Sequence, residues 1–439
     1  MQPYSPERRT ALVLCGTGAH GAYHAGVLRA LQEAGVKVDV MAGHGAGAAA
    51  AALAAIDGGA QLWDASGIWR SGSAGRFYRW KWPLPAAAGI AALLGVILLA
   101  PLVLAPLGVV FAATTWSIGA VILAAILVAL LMAARPAGGT ARTSARRRAD
   151  GSGLWRLLGA PIDAVSARSV FEAALWKLLR GGDSTAPSTP AALGRRYAEV
   201  LSESLGQPGF RELMIVATDL DAHRDLVGAL LREPYRREFY APRPETERRS
   251  EALDLAGAGA EHTFDLVAAG LTPPLVCDPY SLSFSVDSYW RGETHRMCDR
   301  PAACVRLLEE LAAAGVSQAI LVSGVAAPQV PHRLRALRLE LRHRLGDFLA
   351  AAESASLRDA VEMSRLRFDS VYLIAPSHNP VGPFDCGGAY DEASDRRQDL
   401  GEVMSRAYED AYHQFIEPVV GASGERLARV DAPVADLPR

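Results

Sequence analysis

Residues 10–34 read TALVLCGTGAHGAYHAGVLRALQEA, and residues 36–55 read VKVDVMAGHGAGAAAAALAA. The same pattern occurs twice in succession. Thr10 to Cys15 predicts a short apolar strand, Gly16 to Gly21 a glycine-rich loop, and Ala22 to Ala34 a helix with Val27, Leu28 and Leu31 on one face. Val36 to Ala42 predicts a second strand, Gly43 to Gly47 a second glycine-rich turn, and Ala48 to Ile56 a helix whose alanines allow close packing on a sheet. Two strand-turn-helix units in a row predict an α/β fold with a mainly parallel sheet and helices on both faces.

Further along, Leu213 to Thr218, Ala319 to Ser323 and Ser370 to Ile374 read as buried strands, with helices between them such as Ala303 to Ala314. A late helix, about Pro331 to Ala351, carries Leu334, Leu337, Leu341, Leu345 and Phe348 at helical spacing. Arg333, Arg335, Arg338, Arg342 and Arg344 lie between them. The simpler reading is a sheet-covering helix with a solvated face; the sharper one sets the arginines against anionic headgroups.

The α/β pattern is interrupted. From Pro83 to Ala134 the chain runs for 52 residues without one Asp, Glu, Lys, Arg or His. A helix rises about 1.5 Å per residue and the hydrocarbon core is about 30 Å thick, so about 20 residues make one crossing. The run fits two, at about Ala86 to Ala105 and about Trp116 to Ala134, joined through Pro106, Gly108, Thr114 and Thr115. Arg76, Arg79 and Lys81 precede it and Arg135, Arg142, Arg146, Arg147 and Arg148 follow it, which predicts that both flanks are cytoplasmic. Trp80, Trp82 and Trp116 fall where interfacial aromatic residues are expected. The expected organisation is therefore an α/β part at 1–82, a transmembrane hairpin at 83–134, a basic cytoplasmic linker at 135–154 and the rest of the α/β domain at 155–439. The expected location is the inner, cytoplasmic membrane, with both termini and the α/β domain in the cytoplasm.

Bulk composition agrees. Hydrophobic residues make up 50% of the 439, and mean hydropathy is +0.12, high for a soluble chain and concentrated in the hairpin. A net charge of −2 offers no basic field for nucleic acid. Cys15, Cys277, Cys298, Cys304 and Cys386 are scattered and lack zinc-ligand spacing, so they read as reduced cytoplasmic thiols, and neither a metal nor a cofactor is expected.

The loop Gly16-Thr17-Gly18-Ala19-His20-Gly21 has the G-x-G-x-x-G spacing of a dinucleotide site, which also needs an acid about 20 residues on for the ribose. Asp39 is at that distance, but it lies inside the second strand, and that strand runs into another glycine turn. Gly43-His44-Gly45-Ala46-Gly47 has the layout of a nucleophile elbow, G-x-S-x-G, with glycine where the serine stands.

The two turns together resemble the patatin-like phospholipase family, as does Thr272-Pro273-Pro274 after a small-residue helix. The resemblance implies a three-layer α/β sandwich in which the first glycine loop forms the oxyanion hole and a Ser-Asp dyad acts on lipid esters. By it, Gly16, Thr17, Gly18, His20 and Gly21 hold oxyanion-loop or anion-binding positions, with Thr17 replacing a glycine and His20 a basic Arg or Lys. Gly43, His44, Gly45, Ala46 and Gly47 form the elbow, and Gly45 stands at the nucleophile position. The family's Asp-Gly-Gly or Asp-Gly-Ala motif is expected between Tyr289 and Pro301, where none occurs; Glu293 and Asp299 are the candidate vestiges. Asp57-Gly58-Gly59 and Asp385-Cys386-Gly387-Gly388 read as turns.

Both halves of the dyad thus read as lost, and the leading expectation is a membrane-anchored pseudoenzyme that binds lipid or a protein partner. One alternative is a lipid acyl hydrolase or transferase with a relocated nucleophile. Another is an accessory subunit whose hairpin packs on a membrane-protein partner or a second copy through Gly89, Gly95, Gly108 and Gly119.

Overall fold

The computed structural model describes residues 4–81, 89, 92–93, 95–96, 116, 118–123, 125–126, 159–181, 189–243, 248–285, 290–326 and 340–421. Contacts divide the chain into two units. The larger comprises residues 1–78, 164–274 and 279–439, and the smaller residues 79–163 and 275–278.

The larger unit is built on one sheet. Its spine runs in the order β11 (Ser370–Ile374), β10 (Gln318–Ser323), β1 (Thr10–Cys15), β2 (Val40–Gly43), β5 (Glu212–Asp219), β6 (Arg224–Leu230), β7 (Ser250–Asp254). Neighbours from β11 to β5 are parallel. The β5–β6 pair is antiparallel, because Asp219 turns the chain by accepting the N–H groups of Asp221 and Ala222. β9 (Thr294–Cys298) runs antiparallel against the end of β5, and β8 (Tyr280–Ser283) pairs with β9. The sheet is mainly parallel, as the alternation predicted.

Every residue of β1 is buried, as a parallel strand covered on both faces requires. Ala11, Val13 and Cys15 share a core with Leu307, Leu308 and Leu311 of helix Ala303–Ala313. The alternate residues Leu12 and Met41 adjoin Leu28 and Leu31 of α1 (Gly21–Glu33) and Ala54 of α2 (Ala46–Ala55) on the other face. Helices therefore cover both faces.

The second strand is shorter than the expected Val36–Ala42. Asp39 breaks its start by turning its carboxylate onto the Thr10 N–H at 2.9 Å, which occupies the acid that a ribose site would need. The late helix spans Leu341–Ser364, and residues 331–339 of the expected span lie outside the described residues. Leu341 and Phe348 of the expected apolar stripe are exposed, and the helix continues past Ala351 on a buried face of Gly346, Leu349, Glu353, Ser356, Ala360 and Ser364, with no Gly or Pro after Ala351 to stop it. β6 to β9 went unforeseen: Gly228 interrupts the apolar run of β6, and β7 to β9 are short, half-polar strands with weak periodicity.

In the smaller unit β3 (Arg79–Trp80) pairs antiparallel with β4 (Ile162–Asp163), and the Lys81 N–H reaches Pro161 O at 3.0 Å. The chain thus leaves at 81 and returns at 161 side by side. Most of the expected hairpin, and all of the expected linker 135–154, fall outside the described residues. Among the described residues no helix is long and apolar enough to cross a membrane.

Candidate active site

The carboxyl ends of β1 and β2 are adjacent in the sheet, so the two glycine turns that follow them meet. Gly45 caps the N-terminus of α2 with φ 62° and ψ −138°. This is a strained region, occupied at little cost by glycine alone, and it is the kind of conformation an elbow needs to hold its central residue above a sheet. The backbone has therefore kept the elbow without its nucleophile.

Asp299 is the acid brought to this point. It directly follows β9, its N–H donates to Thr272 O at 2.9 Å, and it is fully buried. A Cβ on Gly45 would lie 3.0 Å from its Oδ2. Of the two candidate acids, Asp299 is thus the one that lies beside the elbow position. Its motif was unreadable because the family's Asp-Gly turn is replaced by Asp299-Arg300-Pro301. Glu293, the other candidate, is largely exposed and binds His295 Nε2 at 3.2 Å. It takes no part in the site.

The carboxylate of Asp299 is engaged on both oxygens. Thr17 Oγ1 donates to Oδ2 at 3.0 Å, and His44 Nδ1 donates to Oδ1 at 3.1 Å. Burial would depress the His44 pKa, but the charge and hydrogen bond of Asp299 outweigh it and push it up to about 9. At neutral pH His44 is therefore a buried imidazolium beside Asp299. Thr17 of the loop and His44 of the elbow are the groups that occupy the acid.

The loop is closed against its own chain. Ala46 N–H, the donor that follows the nucleophile position and normally helps form an oxyanion hole, is taken by Gly16 O at 2.8 Å. Ala19 N–H is taken by Pro383 O at 2.8 Å, and His20 N–H by Thr17 O at 3.3 Å. A Cβ on Gly18, at φ 60°, would come within 2.0 Å of Pro383 O, so only glycine lets the 383 segment approach this closely. These three donors are engaged within the chain.

Beneath the loop lie more buried polar groups. His20 Nδ1 is 3.3 Å from Glu353 Oε2. His24 donates from Nε2 to Cys15 O at 2.9 Å, and burial lowers its pKa to about 3, leaving it neutral. Gly21 accommodates the Trp69 ring. In the elbow, Gly43 and Gly47 pack against backbone, Gly47 within 2.0 Å of Leu14 O for an added Cβ. Sequence reading missed Glu353 and Pro383. A lone acid in the alanine-rich half of a covering helix was the available signal for Glu353, and Pro383 left none.

Asp57 and Asp385 do not reach the elbow. Asp57 sits at φ 56° just beyond α2, and Asp385 accepts the Gly382 N–H and lies 3.0 Å from His343 Nε2. No cluster that could hold a metal occurs among the described residues.

A family model described as patatin-like phospholipase matches residues 12–328. No curated protein matches the chain. Among solved structures it matches the crystal structure of VipD from Legionella pneumophila at 14% identity and a TM-score of 0.32, over 95% of this chain and 67% of that one. The family match covers well over half of the 439 residues and runs from the first strand through the elbow and Asp299 to the end of β10, so the chain belongs to the patatin-like phospholipase family.

Proposed function

We propose that this chain is a non-hydrolytic member of its family, held in the membrane by the 83–134 hairpin, and that it works by assembling with a protein partner. The observation that carries this reading is Gly45 in elbow geometry with the Ala46 N–H bonded to Gly16 O at 2.8 Å. An acyl-enzyme needs an oxygen on residue 45 and donors for the oxyanion; the oxygen is missing and the Ala46 N–H is already engaged. Loss of a serine nucleophile alone costs about six orders of magnitude in a well-studied hydrolase. The filled loop also favours a protein partner over a lipid ligand at this site.

Support for the membrane comes from the uncharged run with basic flanks. Leu93, Val96, Trp116, Ile118, Val121 and Leu123 are helical and exposed, an apolar surface that lipid or partner helices would cover. The β3–β4 pairing, which returns the chain beside its exit, is the arrangement that a two-helix insertion requires.

The test is to purify the full chain in mild detergent, treat it with a fluorophosphonate probe, assay phospholipid and ester hydrolysis, and identify co-purifying proteins. No adduct, no turnover and a stoichiometric partner are expected. Turnover that is abolished in Asp299→Asn would overturn the reading.

A further inference from the structure

One pair of groups in this region plays no part in the dyad. Cys15 ends β1, one residue before Gly16. Cys304 lies in the first turn of helix Ala303–Ala313, five residues after Asp299. Their sulfurs are 3.1 Å apart, and both residues are buried, at 6% and 2% exposure. Nonbonded sulfurs ordinarily stay further apart than this, and a disulfide needs about 2.05 Å. Closing the bond takes about 1 Å of combined movement, which two rotamer adjustments can supply without moving β1.

From this contact and its position we propose that Cys15 and Cys304 form a reversible disulfide that locks the closed glycine loop. The bond would tie the residue before Gly16 to the turn after Asp299, and so hold both sides of the Thr17, Asp299 and His44 cluster.

The electrostatics assign the roles. The hydrogen bond from Cys15 lowers the pKa of Cys304 against the effect of burial, and the charge of His44 adds to it. The same bond, together with burial, raises Cys15 well above the usual range. Cys304 is therefore the attacking sulfur. With hydrogen peroxide as oxidant, the Cys304 thiolate attacks one peroxide oxygen, the O–O bond breaks, and the departing hydroxide takes up a proton as water. The Cys15 sulfur then attacks the Cys304 sulfenic sulfur, forming the S–S bond and breaking the S–O bond, and the departing hydroxide takes the Cys15 proton to leave as water. Two thiols lose two electrons and one peroxide gains them. By contrast, burial pushes the Cys298 and Cys386 thiols up to about 12, which leaves them poor nucleophiles at neutral pH.

The experiment uses the folded full chain with Cys298→Ser, since Cys298 and Cys304 fall on one tryptic peptide, there being no cleavage at Arg300-Pro301. The protein is treated with hydrogen peroxide at neutral pH, quenched with catalase, then unfolded in N-ethylmaleimide with and without prior reduction. The expected result is a mass loss of about 2 Da before alkylation, from two hydrogens removed per disulfide. Two thiols are protected until reduction, a peptide joins residues 10–29 to 297–306, and the thermal midpoint rises by about 5–10 °C, reversed by dithiothreitol. In Cys15→Ser the Cys304 sulfenic acid should persist and be trapped by dimedone. Full alkylation after oxidation, a link to Cys277 or Cys386, or a link that forms only in denaturant overturns the proposal.

Discussion

Gly45→Ser restores the family's nucleophile, and it is expected to destabilise the protein and yield no hydrolase. A Cβ at residue 45 would lie 2.4 Å from Gly16 O, 3.0 Å from Gly16 C and 3.0 Å from Asp299 Oδ2. Relief to an ordinary contact of about 3.4 Å needs the Gly16 carbonyl to withdraw by about 1 Å. That withdrawal breaks its 2.8 Å bond to Ala46 N–H. The lost hydrogen bond costs about 1 kcal/mol and an L-residue at φ 62°, ψ −138° another 1–3 kcal/mol, for a total of about 2–4 kcal/mol. In a domain this large the thermal midpoint should fall by about 4–8 °C. Gly35→Ala is the matched control, because Gly35 has φ +64° but open space around its Cβ. The difference between Gly45→Ala and Gly35→Ala in thermal or denaturant unfolding therefore reads chiefly the overlap with Gly16 O, with the cost of a positive φ common to both. Equal losses in the two alanine variants, or a fluorophosphonate adduct on Gly45→Ser, would refute the account of a loop sealed on the elbow.

Other outcomes follow from the same geometry. His44 has a folded pKa raised from 6.5 to about 9, so the stability it contributes is fully present below pH 6.5 and is lost as pH rises through about 9. The span corresponds to about 3 kcal/mol, and denaturant melts between pH 6 and 10 should show this fall in the parent and not in His44→Gln. Asp299→Ala leaves a buried cation and a buried hydroxyl without their partner, and should cost about 3–5 kcal/mol in chemical denaturation. Replacing residues 83–158 with a short Gly-Ser loop should move the chain from the membrane pellet to the supernatant and leave the larger unit's thermal midpoint within about 2 °C of the parent, since the ends at 81 and 161 already adjoin. Retention in the pellet would count against the hairpin as the anchor.

The fold was legible where the physics is local. Apolar runs ending in glycine, followed by alanine-rich helices, determine β1, α1, β2 and α2 almost alone, because burial on both faces and close helix approach leave few other sequences. Asp299 was harder. It is placed by a backbone bond to Thr272 and by the β9–β5 pairing, and neither is encoded near residue 299. Sealing of the loop was illegible for the same reason. Pro383 is over 360 positions from Ala19, and its carbonyl, which carries no side-chain signature, does the blocking.

The retained acid is best explained by what surrounds it. A carboxylate with no exposure is unfavourable without partners, and in an active dyad it must stay available to a serine. Here Thr17 and His44 replace that availability with two hydrogen bonds and a countercharge. With its partner serine absent, Asp299 becomes a tie between three segments: the glycine loop through Thr17, the elbow through His44, and the Thr272 turn through its own N–H. On the non-hydrolytic reading proposed above, the site does not need to be open, and a donor such as the Ala46 N–H can stabilise the fold instead. On this argument Asp299→Asn should leave any partner binding intact at moderate temperature while lowering the unfolding midpoint, because the asparagine keeps an acceptor for Thr17 but loses the charge that holds His44 protonated. Loss of the partner at temperatures where Asp299→Asn is still folded would show instead that the old active site is part of the binding surface.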